Sequence, residues 1–285
     1  MKNSAKIAKP IIVIAIIFIL AGGVFCGAAY AFGENYMNSK TENCNESFES
    51  AAINKLEIGD HVANINITKS GDGGGNIIIK AENVLPEHFK CETANNVLKI
   101  SYNPTAFKFG VISVPSFIFD PASWNRKTPV INIYVPEGKL FGEINFKGGV
   151  GNIRADEIIA ENFIIGGGMG NYDITNMTTV NLKINGGMGN IDVRETVING
   201  ESRIDGGVGN VSISGKAGGN ITVKGGVGNI DVRLSGDIND YNIKADSGIG
   251  SIRINGSKAS EIRNSSGRYN INIDGGVGNI NIDIR

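Results

Sequence analysis

Along residues 140–285, apolar and polar side chains alternate in short runs, and the runs return at a nearly fixed interval. The marker is a GGxGN block. It reads GGVGNI at 148–153, GGMGNY at 167–172, GGMGNI at 186–191, GGVGNV at 206–211 and GGVGNI at 225–230. A degenerate SGIGSI follows at 247–252, and GGVGNI returns at 275–280. The asparagines of the block are Asn152, Asn171, Asn190, Asn210, Asn229 and Asn279, with Ser251 standing in once. Their spacings are 19, 19, 20, 19, 22 and 28 residues. A period near 20 marks one structural unit stacked on itself.

Positions counted from each asparagine show what the unit is. One residue beyond it stand Ile153, Tyr172, Ile191, Val211, Ile230, Ile252 and Ile280. Three residues beyond stand Ala155, Ile174, Val193, Ile213, Val232, Ile254 and Ile282. Polar residues separate the two columns, which predicts a strand with one face inward. Six residues before the asparagine come Phe146, Ile165, Ile184, Ile204, Val223, Ala245 and Ile273, the inward column of a second strand. The glycines between turn a corner where the backbone needs positive φ or close approach. Stacked copies put like on like at about 4.8 Å. The asparagines are then expected to form an amide ladder, each bonding its neighbours above and below. The predicted fold is an all-β, parallel β-solenoid (β-helix or β-roll-like) of about seven coils, each roughly 19–20 residues.

Upstream, strand signals fall at residues 53–58, 62–67, 76–80, 97–101 and 130–135, with a glycine turn at 71–75. Residues 103–128 interrupt them with an aromatic, proline-containing insertion carrying Phe117, Phe119 and Trp124. That insertion either caps the first coil or presents an apolar patch to a membrane or partner. At the N-terminus, Lys2, Lys6 and Lys9 precede an uncharged apolar run over residues 11–32. As a helix it would span about 33 Å, enough for a bilayer core. The flanking lysines place the remainder outside the cytoplasm. The run reads as a single transmembrane anchor, the alternative being a signal peptide cleaved near Ala29-Tyr30-Ala31 and a secreted product. The expected organisation is therefore 1–32 flank and anchor, 33–50 polar stalk, 51–139 opening β-meander with the insertion, and 140–285 solenoid.

Composition and charge add exclusions. Forty glycines follow the repeat period rather than the every-third period of collagen. A net charge of −1 gives no basic patch for nucleic acid. In an exported chain Cys44 and Cys91 have the choice of a disulfide or two free thiols. The repeat invites comparison with the calcium-binding nonapeptide roll, but aliphatic residues occupy its aspartate position and its period differs. Asp173 and Asp192 are neighbours on the outer face, where Arg154 and Arg194 are placed to neutralise them. His61 and His88 are read as surface residues. Asp237 and Asp240 could line a groove as glycosidase carboxylates do, yet nothing pairs them with sugar platforms. No catalytic, cofactor or metal set is assigned.

The anchor, the opening strand at 53–58, the Val97-Leu98-Lys99-Ile100-Ser101 strand, the aromatic insertion, the strand ending Val135-Pro136 and the glycine-asparagine-isoleucine repeats occur together. Over residues 50–285 this resembles the LiaG-like bacterial family, a β-strand-repeat domain of unknown function whose members carry an adhesin label. The resemblance implies a β-solenoid on the outer face of the cytoplasmic membrane and transfers no catalytic residue. Expected partners are the membrane, a cell-wall polymer or surface ligand, and another copy through the C-terminal coil. That coil ends on a strand whose edge needs a second chain or a cover from elsewhere in this one. The alternative functions are a regulatory accessory to an envelope-stress or membrane partner, acting through Phe117, Phe119 and Trp124, and a polysaccharide-active enzyme.

Overall fold

The structure is a computed structural model and describes residues 40–71, 74–109, 112–115, 127–259 and 267–285. The apolar run at 11–32 and the side chains of Phe117, Phe119 and Trp124 lie outside the described residues. Among the described residues no helix is long and apolar enough to cross a membrane. The chain divides into two compact units. Of the smaller, which takes in residues 104–127, the antiparallel hairpin Thr105–Phe109 with Ile112–Pro115 is described.

The larger unit is the solenoid. One stack of strands contains the residues beyond each asparagine. In spatial order its parallel members are Val130–Val135, Asn64–Lys69, Ile153–Asp156, Tyr172–Thr175, Ile191–Ile198, Val211–Ala217, Ile230–Leu234, Ile280–Ile284 and Ile252–Ile254. The second stack runs Val97–Tyr102, Lys55–Val62, Leu140–Phe146, Ile159–Ile165, Thr178–Asn185, Ser202–Asp205, Ile221–Lys224, Tyr269–Asp274 and Tyr241–Asp246. A short third ladder joins Phe141, Ala160, Thr179, Ile198 and Ala217. Each coil therefore buries side chains from several directions into one core. The register matches like with like: Ile153, Tyr172, Ile191, Val211 and Ile230 are successive partners. All three inward columns read from the sequence are buried. Each fully buried Ile or Val stabilises the stack by about 1.5–3 kcal/mol.

Three features differ from the sequence reading. The opening strands are not a meander. Lys55–Val62, Asn64–Lys69, Val97–Tyr102 and Val130–Val135 join the two stacks as parallel layers. Antiparallel strands cover that end: Asn76–Val84 and Glu42–Glu49 on one stack, Phe89–Ala94 on the other. The stalk expected to residue 50 is accordingly shortened. Glu42–Glu49 is a strand, because Cys44 and Phe48 alternate on one face and pack against the core.

The third difference is the order of the last coils. The C-terminal coil does not lie at the end of the stack. Ile280–Ile284 pairs with Ile230–Leu234 on one side and Ile252–Ile254 on the other. Tyr269–Asp274 sits likewise between Ile221–Lys224 and Tyr241–Asp246. The cover for the chain's last strand thus comes from an earlier coil. Beyond it Ser257–Ala259 folds back antiparallel on Ile252–Ile254.

Candidate binding surface

The GGxGN block builds a repeated outer strip from the backbone upward. The glycine before each block asparagine has φ between +136° and +151°, a region L side chains rarely adopt. A Cβ on Gly170 would also stand 2.1 Å from the Gly151 carbonyl oxygen. Only glycine lets one coil lie this close to the last. At that corner the asparagine's own N–H finds no backbone carbonyl, and a buried orphan donor would be costly. The preceding coil's asparagine supplies the acceptor. The Asn171 N–H donates to Asn152 Oδ1, Asn190 to Asn171, Asn210 to Asn190, Asn229 to Asn210 and Asn279 to Asn229, each at 2.9 Å.

This ladder differs from the expected one, in which amide bonds amide. Its rungs run from side-chain oxygen to the next backbone N–H, and its asparagines are exposed. It begins one coil earlier than the repeats suggest, with the Asn152 N–H on Asn64 Oδ1 at 2.9 Å. It ends at Ser251, whose N–H and hydroxyl both donate to Asn279 Oδ1. No described coil lies beyond Ser251 to need its oxygen, which accounts for the lost asparagine. A second ladder, interrupted at Glu201, went unread in the sequence although its signal was there, nine residues before the first: Asn162, Asn181, Asn220, Asn270 and Asn242. Asn181 Nδ2 donates to Asn162 Oδ1 at 3.0 Å, and the Asn270 N–H to Asn220 Oδ1 at 2.9 Å.

The variable residue of the block points outward. Val150, Met169, Met188, Val208, Val227, Val277 and Ile249 bridge one to the next in a continuous line. Met188 and Val208 are each 56% exposed and Ile249 72%. This aliphatic ridge was missed because its side chains look like core residues; only the corner geometry turns them out. Beside ridge and ladder lies the charged column. Arg154 Nη2 meets Asp173 at 3.1 Å, Arg194 Nη1 meets Asp192 at 2.9 Å, and Arg194 also bonds Asp173. The acidic pair is thus neutralised as expected. Where ladder and column begin, Asn64, Asn66, Asn152, Asn171, Arg154 and Asp173 line an open groove of about 350 Å³.

Other singled-out residues fall elsewhere. Asp237 is held in a local turn, accepting from the Asn239 N–H at 2.9 Å. His61 is a correction. It is 2% exposed, not a surface residue, because Gly149 leaves room for its ring against the neighbouring layer. Burial lowers its pKa below the ordinary histidine value, opposed by the Gly59 carbonyl and Asp60. Cys44 and Cys91 are free thiols, both half-buried against the core. Burial first, then Glu46 and Cys44, pushes Cys91 up to about 12. Among the described residues no group of three or more His, Cys, Asp or Glu side chains converges as a metal site would.

These features define a class, a parallel β-solenoid with a glycine-cornered, asparagine-laddered exterior. The chain belongs to the Toastrack DUF4097 family, which it matches over residues 53–282. No curated protein matches it. Among solved structures it is similar to a candidate adhesin from Bacteroides fragilis, at 22% identity, TM-score 0.52, covering 85% of this chain and 98% of that one. It is also similar to a candidate cell adhesion protein from Clostridium sporogenes, at 20% identity, TM-score 0.38, covering 86% and 100%. The first likeness concerns the fold alone.

Proposed function

We propose that this chain is a non-enzymatic binding module of the cell envelope, an adhesin held to the membrane by residues 11–32 with its solenoid outside. The observation that carries the reading is the repeated exterior: ladder and ridge present the same groups coil after coil. A surface of that kind suits contact spread over many weak sites, where avidity replaces a deep pocket. The adhesin name of its Bacteroides fragilis structural relative agrees with it.

The test uses the full chain produced in a bacterium. Protease added to intact cells should release solenoid fragments, while the N-terminal segment stays with the membrane fraction. The purified full chain should be retained on isolated cell envelopes. Protection of the solenoid in intact cells, or a chain washing freely off envelopes, would overturn the reading.

A further inference from the structure

The ladder and ridge together specify a ligand chemistry, an inference that rests on the reading of the solenoid as a binding module. In Asn64, Asn152, Asn171, Asn190, Asn210, Asn229 and Asn279 the side-chain oxygen is committed to the next coil's N–H or, at the end, to Ser251. That commitment fixes the amide's orientation, so each Nδ2 is left over. None of these Nδ2 groups has a partner among the described residues, and the block asparagines are exposed. The surface therefore offers a row of hydrogen-bond donors at the coil spacing. A ligand that fits must supply acceptors at repeated intervals.

The neighbouring ridge adds a second requirement. Two residues before each donor stands a half-exposed Val, Met or Ile, bridged to its neighbours above and below. The ligand must bring small apolar groups close to its acceptors. The third requirement is neutrality. Every residue of the seven blocks is Gly, Asn, Ser or aliphatic up to the asparagine position, so the strip holds no charged side chain. Beside it Arg154 and Arg194 are already paired with Asp173 and Asp192, which leaves a polyanion little to bind. The fourth is length, because the pattern extends over seven coils.

An acetamido group carries a carbonyl acceptor and a methyl on the same carbon. We propose that the strip binds a polysaccharide rich in N-acetylated amino sugars, laid along the coil stack. Asparagine Nδ2 groups of every second coil donate to acetamido carbonyls, since in a β-1,4-linked chain only alternate rings turn their acetamido group to the strip, and those methyls pack on the aliphatic ridge. The groove at Asn64, Asn66, Asn152 and Asn171 takes one end of the bound segment. There the Arg154–Asp173 pair offers both donors and acceptors to sugar hydroxyls.

The experiment is co-sedimentation of the purified full chain with insoluble chitin, using cellulose as the control polymer that lacks the acetamido group. Retention on chitin at least about tenfold above cellulose is expected, one tenfold step being about 1.4 kcal/mol. The triple variant Asn171→Asp, Asn190→Asp, Asn210→Asp keeps every acceptor of the ladder but removes three donors and adds charge. It should lose chitin binding about tenfold or more. A second variant, Met169→Ser with Met188→Ser, leaves the ladder intact and should weaken binding severalfold, so the test survives if the triple variant fails to fold. Equal retention on both polymers, retention on neither, or full binding by a folded triple variant overturns the assignment. So does a concentration-dependent doubling of mass in light scattering that the methionine variant abolishes, since the ridge would then be covered by a second copy. Envelope retention that persists while chitin binding is absent would remove this ligand and leave the binding-module reading standing.

Discussion

At the residue scale the repeat is held by groups with no substitute. Gly189 has φ +142°, and its Cβ would lie 2.1 Å from the Gly170 carbonyl oxygen. Backbone strain and a backbone clash act together there, so Gly189→Ala should cost at least about 2–3 kcal/mol. Gly71→Ala has open space around it and should be nearly neutral. Urea melts of the two variants check the contrast. His61 gives a pH dependence whose sign follows from burial. Its folded pKa is lowered, so the unfolded chain takes the proton first, near pH 6.5. Stability is therefore full above that pH and declines as pH falls toward the folded value. His61→Gln should flatten the slope below about pH 6.5. Denaturant midpoints at several pH values would show it, and identical slopes would mean that the ring is wet. The inward columns and the corner glycines were legible because period 2 and glycine spacing are local signals. The burial of His61 was not, because it depends on Gly149, which lies far along the chain and in the next layer.

At the element scale the covered end of the solenoid brings two distant strands together. Cys44 is the register partner of Ala81, and Cys91 that of Ile100. Ala81 and Ile100 are fully buried. Directly opposed residues of antiparallel strands share a face, so both thiols point into the same interior at that end. The raised Cys91 pKa, to which Cys44 contributes, accords with their nearness. Two outcomes follow. Iodoacetamide at pH 7.5 should label Cys91 slowly in the folded chain and quickly in urea, because the thiolate is the nucleophile. Oxidised glutathione should accept the two electrons and two protons of the thiols and leave a Cys44–Cys91 bond. That bond would join the covers of the two stacks and stabilise by about 4 kcal/mol on a chain-entropy treatment. Peptide mapping under non-reducing conditions reads it directly; mixed glutathione adducts with no internal bond would show the thiols too far apart. Sequence alone left the pairing open, since cysteine spacing says nothing of which strands close an end.

At the scale of the whole molecule, the order of coils in space departs from their order in sequence, and this was the least legible feature. All coils carry the same inward columns, so hydrophobic pattern cannot rank them. Two local marks did distinguish the sixth copy: the 28-residue interval after it and Ser251 in place of asparagine. The interval is long enough for the chain to step back inside, and the serine marks the coil that receives a rung without passing one on. A solenoid's stability is approximately a sum of coil terms and neighbour interfaces. Removing residues 267–285 from the order seen here deletes an interior layer. Ile230–Leu234 and Ile252–Ile254 both lose their partner, as do Ile221–Lys224 and Tyr241–Asp246. The sixth coil can survive only by re-docking against Ile230–Leu234 across connections shaped for a gap. If the last coil were outermost, the same truncation would remove one interface and leave a shorter, intact rod. The truncated chain should therefore show hydrogen exchange in residues 241–254 accelerated to nearly unfolded rates, with protection retained through the coils before Ile221. Undiminished protection of 241–254 would show that the stack follows the sequence after all.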